Sequence, residues 1–236
     1  MKHFIKFIAP WLSKVKSFLL KFRIHRLFGN SRHFFIYVGN LLELSYWCDI
    51  NNKSKHFYAD RYDLYSHLIN LENLAGDIDY LEFGVAEGDS IRWWLAHNKN
   101  QNSRFFGFDS FDGLPEDWGV AQKGTFSTGG QLPVVNDTRC TFIKGFFQDS
   151  ISSWLQTVEL KKKLIVHLDA DLYSSTIYVL TKLSPFIKKG DVLIFDEFNF
   201  PTDEFLAFKQ FISAANFSYE FIGTSNAYLK VAIRIT

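Results

Sequence analysis

The feature that most constrains the fold is a regular alternation of short apolar segments with helical segments, which runs from residue 60 to residue 235. Short, almost wholly apolar segments are typical of buried strands, and apolar residues three and four positions apart are typical of amphipathic helices. The seven predicted strands are 78–83, 104–108, 140–144, 164–168, 192–195, 217–223 and 227–235. The predicted helices are 60–75, 90–97, 150–157, 174–187 and 203–215. We therefore expect an α/β fold, in which a mostly parallel seven-stranded sheet is covered by helices and ends in an antiparallel C-terminal hairpin.

The charges are distributed unevenly, although the chain as a whole is almost neutral. Its 236 residues include 26 Lys and Arg against 25 Asp and Glu, a net charge of +1. Residues 1–42 hold eight basic and no acidic side chains, and residues 43–236 hold 18 basic and 25 acidic ones, a net charge of −7. The near-zero total gives no support to a nucleic-acid partner, and 47% hydrophobic residues exclude a disordered chain. We expect a basic helical arm, 1–58, and one α/β domain, 59–236.

The basic arm has the spacing of an amphipathic helix. Its apolar residues recur three and four positions apart, and most of its lysines fall on the opposite arc: Phe4, Ile8, Trp11, Val15, Phe18 and Phe22 form the apolar face. One interpretation is an interfacial helix that lies on an anionic membrane surface. The other is an ordinary amphipathic helix that packs on its own domain or on a second subunit of a homo-oligomer.

The cysteines and the apolar stretches bear on the compartment. Cys48 and Cys140 belong to no CxxC or Cys/His cluster, so the sequence encodes no zinc site or disulfide scaffold. No uncharged apolar stretch is long enough for a membrane-spanning helix or a signal peptide. We expect a cytoplasmic protein, with peripheral contact at the inner face of the membrane if the arm binds lipid.

Two glycines follow the first predicted strand of the domain. Gly84 and Gly88 would allow a tight turn and a close approach of the backbone to a ligand, with Glu82 in the strand just before them. The spacing is G-x-x-x-G and not the dinucleotide fingerprint, so a plain strand–helix turn is the alternative. Asp109 ends the next strand, where a carboxylate can hold a ribose diol or cap a turn.

Carboxylates end two further strands. Asp169 and Asp171 follow strand 164–168, and Asp196 and Glu197 follow strand 192–195. Carboxylates that cluster at one edge of a sheet repel one another, and a hard divalent cation such as Mg²⁺ relieves that repulsion. The alternatives are that Asp171 caps the next helix and that Glu197 lies in solvent. His167 should face the same side as Asp169, as a general base or as a hydrogen-bonded core histidine.

The segment 111–139 is rich in glycine and has no helix or strand pattern. A loop of that length inside a compact domain is usually functional, and we expect it to form a lid that shapes substrate choice.

Five segments together resemble one enzyme family: FGFDSFDGLPEDW (106–118), KGTFSTGG (123–130), GFFQDS (145–150), HLDADLYSST (167–176) and LIFDEF (193–198). They are similar to the macrocin-type O-methyltransferases, which methylate sugars of macrolide antibiotics and depend on S-adenosylmethionine and Mg²⁺. The resemblance covers about residues 60–200 and implies a Rossmann-like class I methyltransferase fold. Where the family has two aspartates followed by tyrosine, this chain has Asp196, Glu197 and Phe198.

The resemblance also implies roles for individual residues. Asp169, Asp196 and Glu197 would bind Mg²⁺. The residues implied in cofactor binding are Glu82, Gly84, Gly88, Asp109, Phe147, Gln148 and Asp149, with Asp109 on the ribose, and we add Ser90 and Ser110 as candidates. Methyl transfer to a hydroxyl also needs a proton acceptor, for which Asp169 and His167 are the candidates. The implied substrate is a hydroxyl of a glycan, a nucleotide sugar or a sugar-bearing metabolite. Two alternatives remain: methylation of a catechol-like diol, and a non-catalytic cofactor-binding module in a membrane assembly.

Overall fold

The structure is a computed structural model that describes residues 2–23, 26, 29, 31–52 and 56–236. The chain divides into two compact units, Met1–Glu43 and Leu44–Thr236. The smaller unit contains helix α1 (Lys2–Lys21), as the apolar spacing predicted, and the start of helix α2 (Ser31–Asn51). The side chains of Phe4 and Ile8, which belong to the predicted apolar face, lie outside the described part. Trp11, Phe18 and Phe22 of that face are exposed.

The larger unit contains the predicted alternation of strands and helices. Its helices after α2 are α3 (Arg61–Leu71), α4 (Asp89–His97), α5 (Phe147–Leu155), α6 (Tyr173–Leu183) and α7 (Glu204–Ala215). Its strands are β1 (Phe57–Tyr58), β2 (Ile78–Phe83), β3 (Arg104–Asp109), β4 (Cys140–Lys144), β5 (Lys163–Leu168), β6 (Val192–Phe195), β7 (Tyr219–Ser225) and β8 (Lys230–Ile235). The predicted strands are therefore confirmed, and the two-residue strand β1 adds to them.

The strands form one eight-stranded sheet with the order β1-β7-β8-β6-β5-β2-β3-β4. Strand β8 is antiparallel to both β6 and β7, and every other neighbouring pair is parallel. Strands β2, β5 and β6 are central and almost wholly buried, since helices cover both faces of the sheet. The carboxyl ends of these three parallel strands therefore meet at one edge, where an α/β sheet binds its ligands.

At the opposite end of the sheet, where the parallel strands begin, acidic side chains form ion pairs with basic ones. Arg104 donates two hydrogen bonds to the buried Asp79, at 2.7 and 2.8 Å. Glu72 lies 3.1 Å from the Lys163 ammonium and 2.6 Å from the Arg234 guanidinium. These acids have the cationic partners that burial of a carboxylate requires, so we call this end of the sheet the paired edge.

The side chain of Trp47, near the end of α2, packs in the core of the larger unit. Its ring is buried and packs on Phe198, Phe208 and Phe221, and its indole nitrogen donates to the Tyr219 hydroxyl at 2.8 Å. This packing explains why the larger unit begins at Leu44, inside the segment predicted as arm.

Among the described residues, no helix has both the length and the apolar character needed to cross a membrane.

Candidate functional site

A cavity of about 250 Å³ opens at the carboxyl ends of the central strands. Two backbone hydrogen bonds hold these ends side by side: Asp169 N donates to Phe83 O at 2.8 Å, and Asp196 N donates to Leu168 O at 2.9 Å. The lining includes eight of the residues proposed from the sequence: Gly84, Asp109, Ser110, Phe147, Gln148, Asp169, Asp196 and Glu197. Residues from the ends of β2, β3, β5 and β6 and from the start of α5 therefore meet in one place.

The glycine loop approaches the acidic strand end closely. Gly84 has φ of +93°, and a Cβ atom there would lie 1.7 Å from the carbonyl oxygen of Asp169. Gly88, with φ of +80°, is the N-cap of α4 and has no side chain to occupy the N-terminus of that helix. A glycine is therefore required at position 84 by both conformation and space.

Asp109 fastens this loop to the end of β3. One of its carboxylate oxygens accepts from the N–H groups of Val85 and Ala86, each at 2.8 Å. The other accepts from Phe111 N at 2.7 Å, which is the turn cap considered above. Asp109 also lines the cavity, and each carboxylate oxygen has more than one lone pair with which to accept a hydrogen bond.

Four carboxylates lie at the ends of β5 and β6, and we call this end of the sheet the acidic edge. Oxygen atoms of Asp169, Asp171 and Glu197 lie within 4.8 Å of one another, and a second such group comprises His167, Asp169 and Asp196. Asp171 adopts φ of +56°, an unusual conformation for a residue with a side chain. It does not cap α6, whose N-cap is Leu172 without a side-chain hydrogen bond.

Burial and mutual repulsion disfavour the ionised form of three of these acids. Burial, followed by the charge of Asp196, raises the pKa of Asp169 well above its usual value and that of Asp171 to about 7. Burial, followed by the charges of Asp169 and Glu204, raises the pKa of Glu197 to about 11. One buried oxygen of Glu197 has no hydrogen-bond partner. Among the described residues, these three acids therefore have no ion pair with Lys or Arg.

Asp196 differs from the other three because cations surround it. Lys230 Nζ lies 2.5 Å and an Arg61 guanidinium nitrogen 3.3 Å from the same carboxylate oxygen. The other oxygen lies 3.4 Å from Nε2 of His167. Although burial favours the neutral acid, the hydrogen bond with His167 and the charges of Lys230 and Arg61 hold the pKa of Asp196 below its usual range.

His167 and Glu82 lie beneath the cavity in a buried hydrogen-bonded chain. The Tyr80 hydroxyl donates to Glu82 at 2.6 Å and lies 2.7 Å from Nδ1 of His167. Burial raises the pKa of Glu82 to about 8 and lowers the pKa of His167. His167 has no exposed surface, so its contact with the cavity passes through Asp196.

Glu204 is a buried carboxylate that sequence reasoning missed. It lies in the first turn of α7, and one of its oxygens accepts from Glu197 N at 2.9 Å. Its other oxygen is buried without a hydrogen-bond partner. Burial raises the pKa of Glu204 well above its usual value, although N–H groups of Glu197 and Ala170 oppose this. Glu204 thus connects the two loops that carry the acidic edge.

The loop 111–139 covers one side of the cavity. Gly113, Leu114, Pro115 and Phe126 line the cavity, and backbone hydrogen bonds between Leu114 and Thr125 and between Leu114 and Gly124 fold the loop on itself. Ser174 donates to Glu116 at 2.5 Å, and the Trp118 ring lies 4.9 Å from that of Phe200. These contacts position the loop over the end of β6 and the start of α6.

Five of the proposed residues do not line the cavity: Glu82, Gly88, Ser90, Asp149 and His167. Asp149 is exposed in the first turn of α5, and Ser90 is buried 3.3 Å from an Arg61 nitrogen. Arg61 and Lys230 were not anticipated as site residues. A lysine within an apolar strand is the one sequence signal that could have indicated Lys230, because burial there requires a counter-charge.

The residues that line this cavity lie largely within a domain known from other proteins. A protein-family model described as a methyltransferase domain matches residues 81–198, a span that includes the glycine loop and the acidic edge. A search of curated proteins returned no match.

Solved structures share the fold. The calicheamicin methyltransferase CalS11 aligns with a TM-score of 0.58 and 20% identity over 74% of this chain and 80% of its own. The O-methyltransferase NovP aligns with a TM-score of 0.53 and 21% identity over 71% and 75%, respectively. A structure described as "cmcI-D160 Mg-SAM" aligns with a TM-score of 0.50 and 16% identity over 75% and 72%.

Proposed function

Because the chain belongs to the methyltransferase-domain family, we propose that it is a Mg²⁺-dependent O-methyltransferase that transfers a methyl group from S-adenosylmethionine to a sugar hydroxyl. The observation that carries this proposal is the meeting of two features in one cavity. These are a glycine loop held by Asp109 and a group of carboxylates, Asp169, Asp171 and Glu197, within 4.8 Å of one another.

The glycine-loop side of the cavity suits the cofactor. Gly84 lines the cavity and lets the loop pack against the backbone of Asp169, and Asp109 also lines the cavity, where ribose hydroxyls can donate to its carboxylate. Phe147 and Gln148 line the same cavity and offer an apolar surface and an amide for the adenine ring. We assign these residues to S-adenosylmethionine, with Ser110 beside them.

The acidic edge suits a divalent cation. When ionised, Asp169, Asp171, Asp196 and Glu197 carry two more charges than Lys230 and Arg61 balance, and one Mg²⁺ would match that difference. An all-oxygen donor set and the unpartnered oxygen of Glu197 fit the same ion. When bound, Mg²⁺ would supply a Lewis acid that lowers the pKa of a sugar hydroxyl.

The chain's own residues would orient the acceptor and take its proton. In methyl transfer the C–O bond forms as the C–S bond of the sulfonium breaks, and the hydroxyl proton must leave. Asp169 lines the cavity and can accept that proton, whereas the buried His167 acts through Asp196. Closing of the cavity by the loop 111–139 would exclude water and position the hydroxyl.

A sugar acceptor is favoured by the printed description of one structural relative. A second CalS11 structure, with a TM-score of 0.50, is described as a TDP-rhamnose 3'-O-methyltransferase, and NovP is described as an O-methyltransferase. The macrocin-type motifs quoted above point to the same class of acceptor. A catechol-like diol is the second candidate, because the apolar side chains of Leu114 and Phe126 in the cavity wall would accept an aromatic ring.

The proposal is tested with S-adenosylmethionine labelled in its methyl group and a panel of nucleotide sugars, oligosaccharides, glycosylated metabolites and catechol. We expect a labelled methyl ether on a sugar, dependent on Mg²⁺, abolished by EDTA and restored when Mg²⁺ is returned. Full turnover in EDTA would contradict the metal role. Label on catechol alone would favour the second candidate.

We propose a membrane role for the smaller unit as well. The apolar side chains of Trp11 and Phe18 on α1, and of Phe22 directly after it, are exposed, and residues 1–42 carry eight basic and no acidic groups. Such a helix suits an anionic lipid surface, and the positive charge of the arm opposes its pairing with the arm of a second copy.

This membrane contact is tested by sedimenting the full chain with vesicles of phosphatidylcholine alone or with phosphatidylserine. We expect binding to the anionic vesicles only, weakened by salt and by the double change Trp11→Ser and Phe18→Ser. The matched control is Phe126→Ser, an exposed aromatic of the loop 111–139. Self-association in place of vesicle binding would support the subunit-contact interpretation.

A further inference from the structure

Lys230 is a buried lysine at the acidic edge, and the function proposed above uses it only as a counter-charge. It is the first residue of β8, only 3% of its surface is exposed, and the antiparallel register pairs its neighbour Val231 with Phe195. This register places the lysine beside the end of β6. Its ammonium lies 2.5 Å from a carboxylate oxygen of Asp196 and 3.3 Å from the main-chain oxygen of the same residue.

The contacts of Asp196 distinguish it from its neighbours. The oxygen that Lys230 contacts also faces Arg61 at 3.3 Å, and the other oxygen faces His167 at 3.4 Å. Among the described residues, neither Lys nor Arg forms an ion pair with Asp169, Asp171 or Glu197. One carboxylate of the acidic edge is therefore already neutralised by the protein, and three are not.

The positive charge of Lys230 makes Asp196 a weaker ligand for any cation that binds at the acidic edge. Two positive charges compete for the same carboxylate, because a carboxylate oxygen held at 2.5 Å by an ammonium is a poorer ligand for a second cation. The uncompensated oxygens of Asp169, Asp171 and Glu197 would then attract the divalent cation most strongly. The ion would keep more of its positive charge for the acceptor hydroxyl than it would among four free carboxylates.

We propose that Lys230 is a fixed internal cation that holds Asp196 back from the divalent ion, so that Asp169, Asp171 and Glu197 are the principal ligands. Lys230 is thus a positioning residue, which limits the affinity for the ion and orients Asp196 toward His167. The Mg²⁺ site itself rests on the proposed function. Asp171, which the family resemblance does not include among the metal ligands, becomes one of the three.

The experiment is a calorimetric titration of the full-length protein with MgCl₂ in the presence of S-adenosylmethionine. The variant Lys230→Met keeps the length of the side chain and removes its charge. We expect Lys230→Met to bind Mg²⁺ about tenfold more tightly than the wild type, since an opposing charge has been removed, while its turnover falls. We expect Lys230→Arg to retain the wild-type affinity. A purely structural role would weaken ion binding instead.

The matched control is Lys163→Met, which removes a lysine ammonium paired with Glu72 at the paired edge. This variant should leave the affinity for Mg²⁺ unchanged. Equal or weaker binding by Lys230→Met would overturn the proposal. If Lys230→Met loses its thermal transition, Arg61→Met decides, because Arg61 faces the same oxygen and is partly exposed. Unchanged affinity in Arg61→Met would then overturn the proposal.

The titration separates this inference from the proposed function. A wild type that binds Mg²⁺, together with a Lys230→Met variant of the same affinity, overturns the inference alone. A wild type that binds no Mg²⁺ and is fully active in EDTA overturns the metal role. Gain of Mg²⁺ binding by Lys230→Met in that second case would still support Lys230 as the internal cation.

Discussion

The carboxylates at the two edges of the sheet have different surroundings. At the paired edge, Asp79 accepts two hydrogen bonds from Arg104, and both oxygens of Asp191 accept main-chain N–H groups at 2.9 and 2.8 Å. At the acidic edge, Asp169, Asp171 and Glu197 crowd together without an ion pair to Lys or Arg among the described residues. Both edges are built from the same strands, so the difference lies in which partners each edge receives.

This comparison indicates what each edge is for. A buried carboxylate with partners contributes to folding, and a buried carboxylate without them costs free energy until a ligand arrives. The paired edge should therefore control stability, and the acidic edge should control activity at the expense of stability. Variants at the two edges are expected to have opposite effects on these two properties.

The largest expected effect is on activity at the acidic edge. Asp169→Ala should lower the rate of methyl transfer by about 10³-fold or more, because it removes a proposed ion ligand and proton acceptor. Asp196→Ala should also abolish turnover. Calorimetry with S-adenosylmethionine should show cofactor binding close to the wild type for both variants. Loss of cofactor binding equal to the loss of rate would contradict the separation of cofactor and ion subsites.

The second effect is on stability at the paired edge. Asp79→Asn removes the charge of this buried carboxylate and one of the two acceptors of Arg104, and should lower the free energy of unfolding by about 3 kcal/mol. The melting temperature should fall by about 8 °C. Turnover measured below the transition should match the wild type, and a large loss of turnover would show that the two edges are not independent.

The positions of the strands along the chain were predictable because each buried strand is a short apolar run flanked by polar or glycine residues. Strand β1 was not, since its two residues pair with the distant β7 and form no apolar run of their own. Helix ends were predicted less well than strands. Helix α5 starts at Phe147, earlier than predicted, because the extended backbone of Phe146 serves as its N-cap.

The acids of the candidate site were predictable because they follow the strands directly, and parallel strands bring their carboxyl ends together. Arg61 and Lys230 were not, because they come from α3 and β8 and reach Asp196 only after the sheet is assembled. The left-handed conformation of Asp171 was also not predictable from the sequence. Sequence reasoning therefore found the negative charges of the site and missed the positive ones.

The third prediction is a gain of stability at the acidic edge, in contrast to the loss expected for Asp79→Asn. Glu197→Gln removes an uncompensated carboxylate and keeps the size of the side chain, so the protein without cofactor or Mg²⁺ should be stabilised by about 1 kcal/mol. The melting temperature should rise by about 2–4 °C while methyl transfer is lost. Destabilisation by Glu197→Gln would mean that groups other than Lys and Arg stabilise the Glu197 carboxylate.

The smallest effect concerns pH at the paired edge. The side-chain hydrogen bond from Arg139 is the main cause that lowers the pKa of Asp137 below its usual value. A lowered pKa means that this carboxylate contributes stability above its ordinary pKa of 3.8 and that the contribution is lost as the pH falls through the folded-state pKa. Asp137→Asn should therefore lower the melting temperature at pH 7 by a few degrees, and the difference should shrink towards pH 2.

Asp89→Asn is the matched control for this pH dependence. Asp89 forms an ion pair of similar length, 2.8 Å, with Arg92, but both side chains are exposed on α4. Exposed pairs contribute little, so this variant should melt like the wild type at either pH. Arg139 is buried and also donates to the main-chain oxygens of Asn98 and Asn100, which is why Asp137 at the paired edge should matter more. If both substitutions lower the melting temperature equally, burial of the partner does not explain the stability that Asp137 contributes.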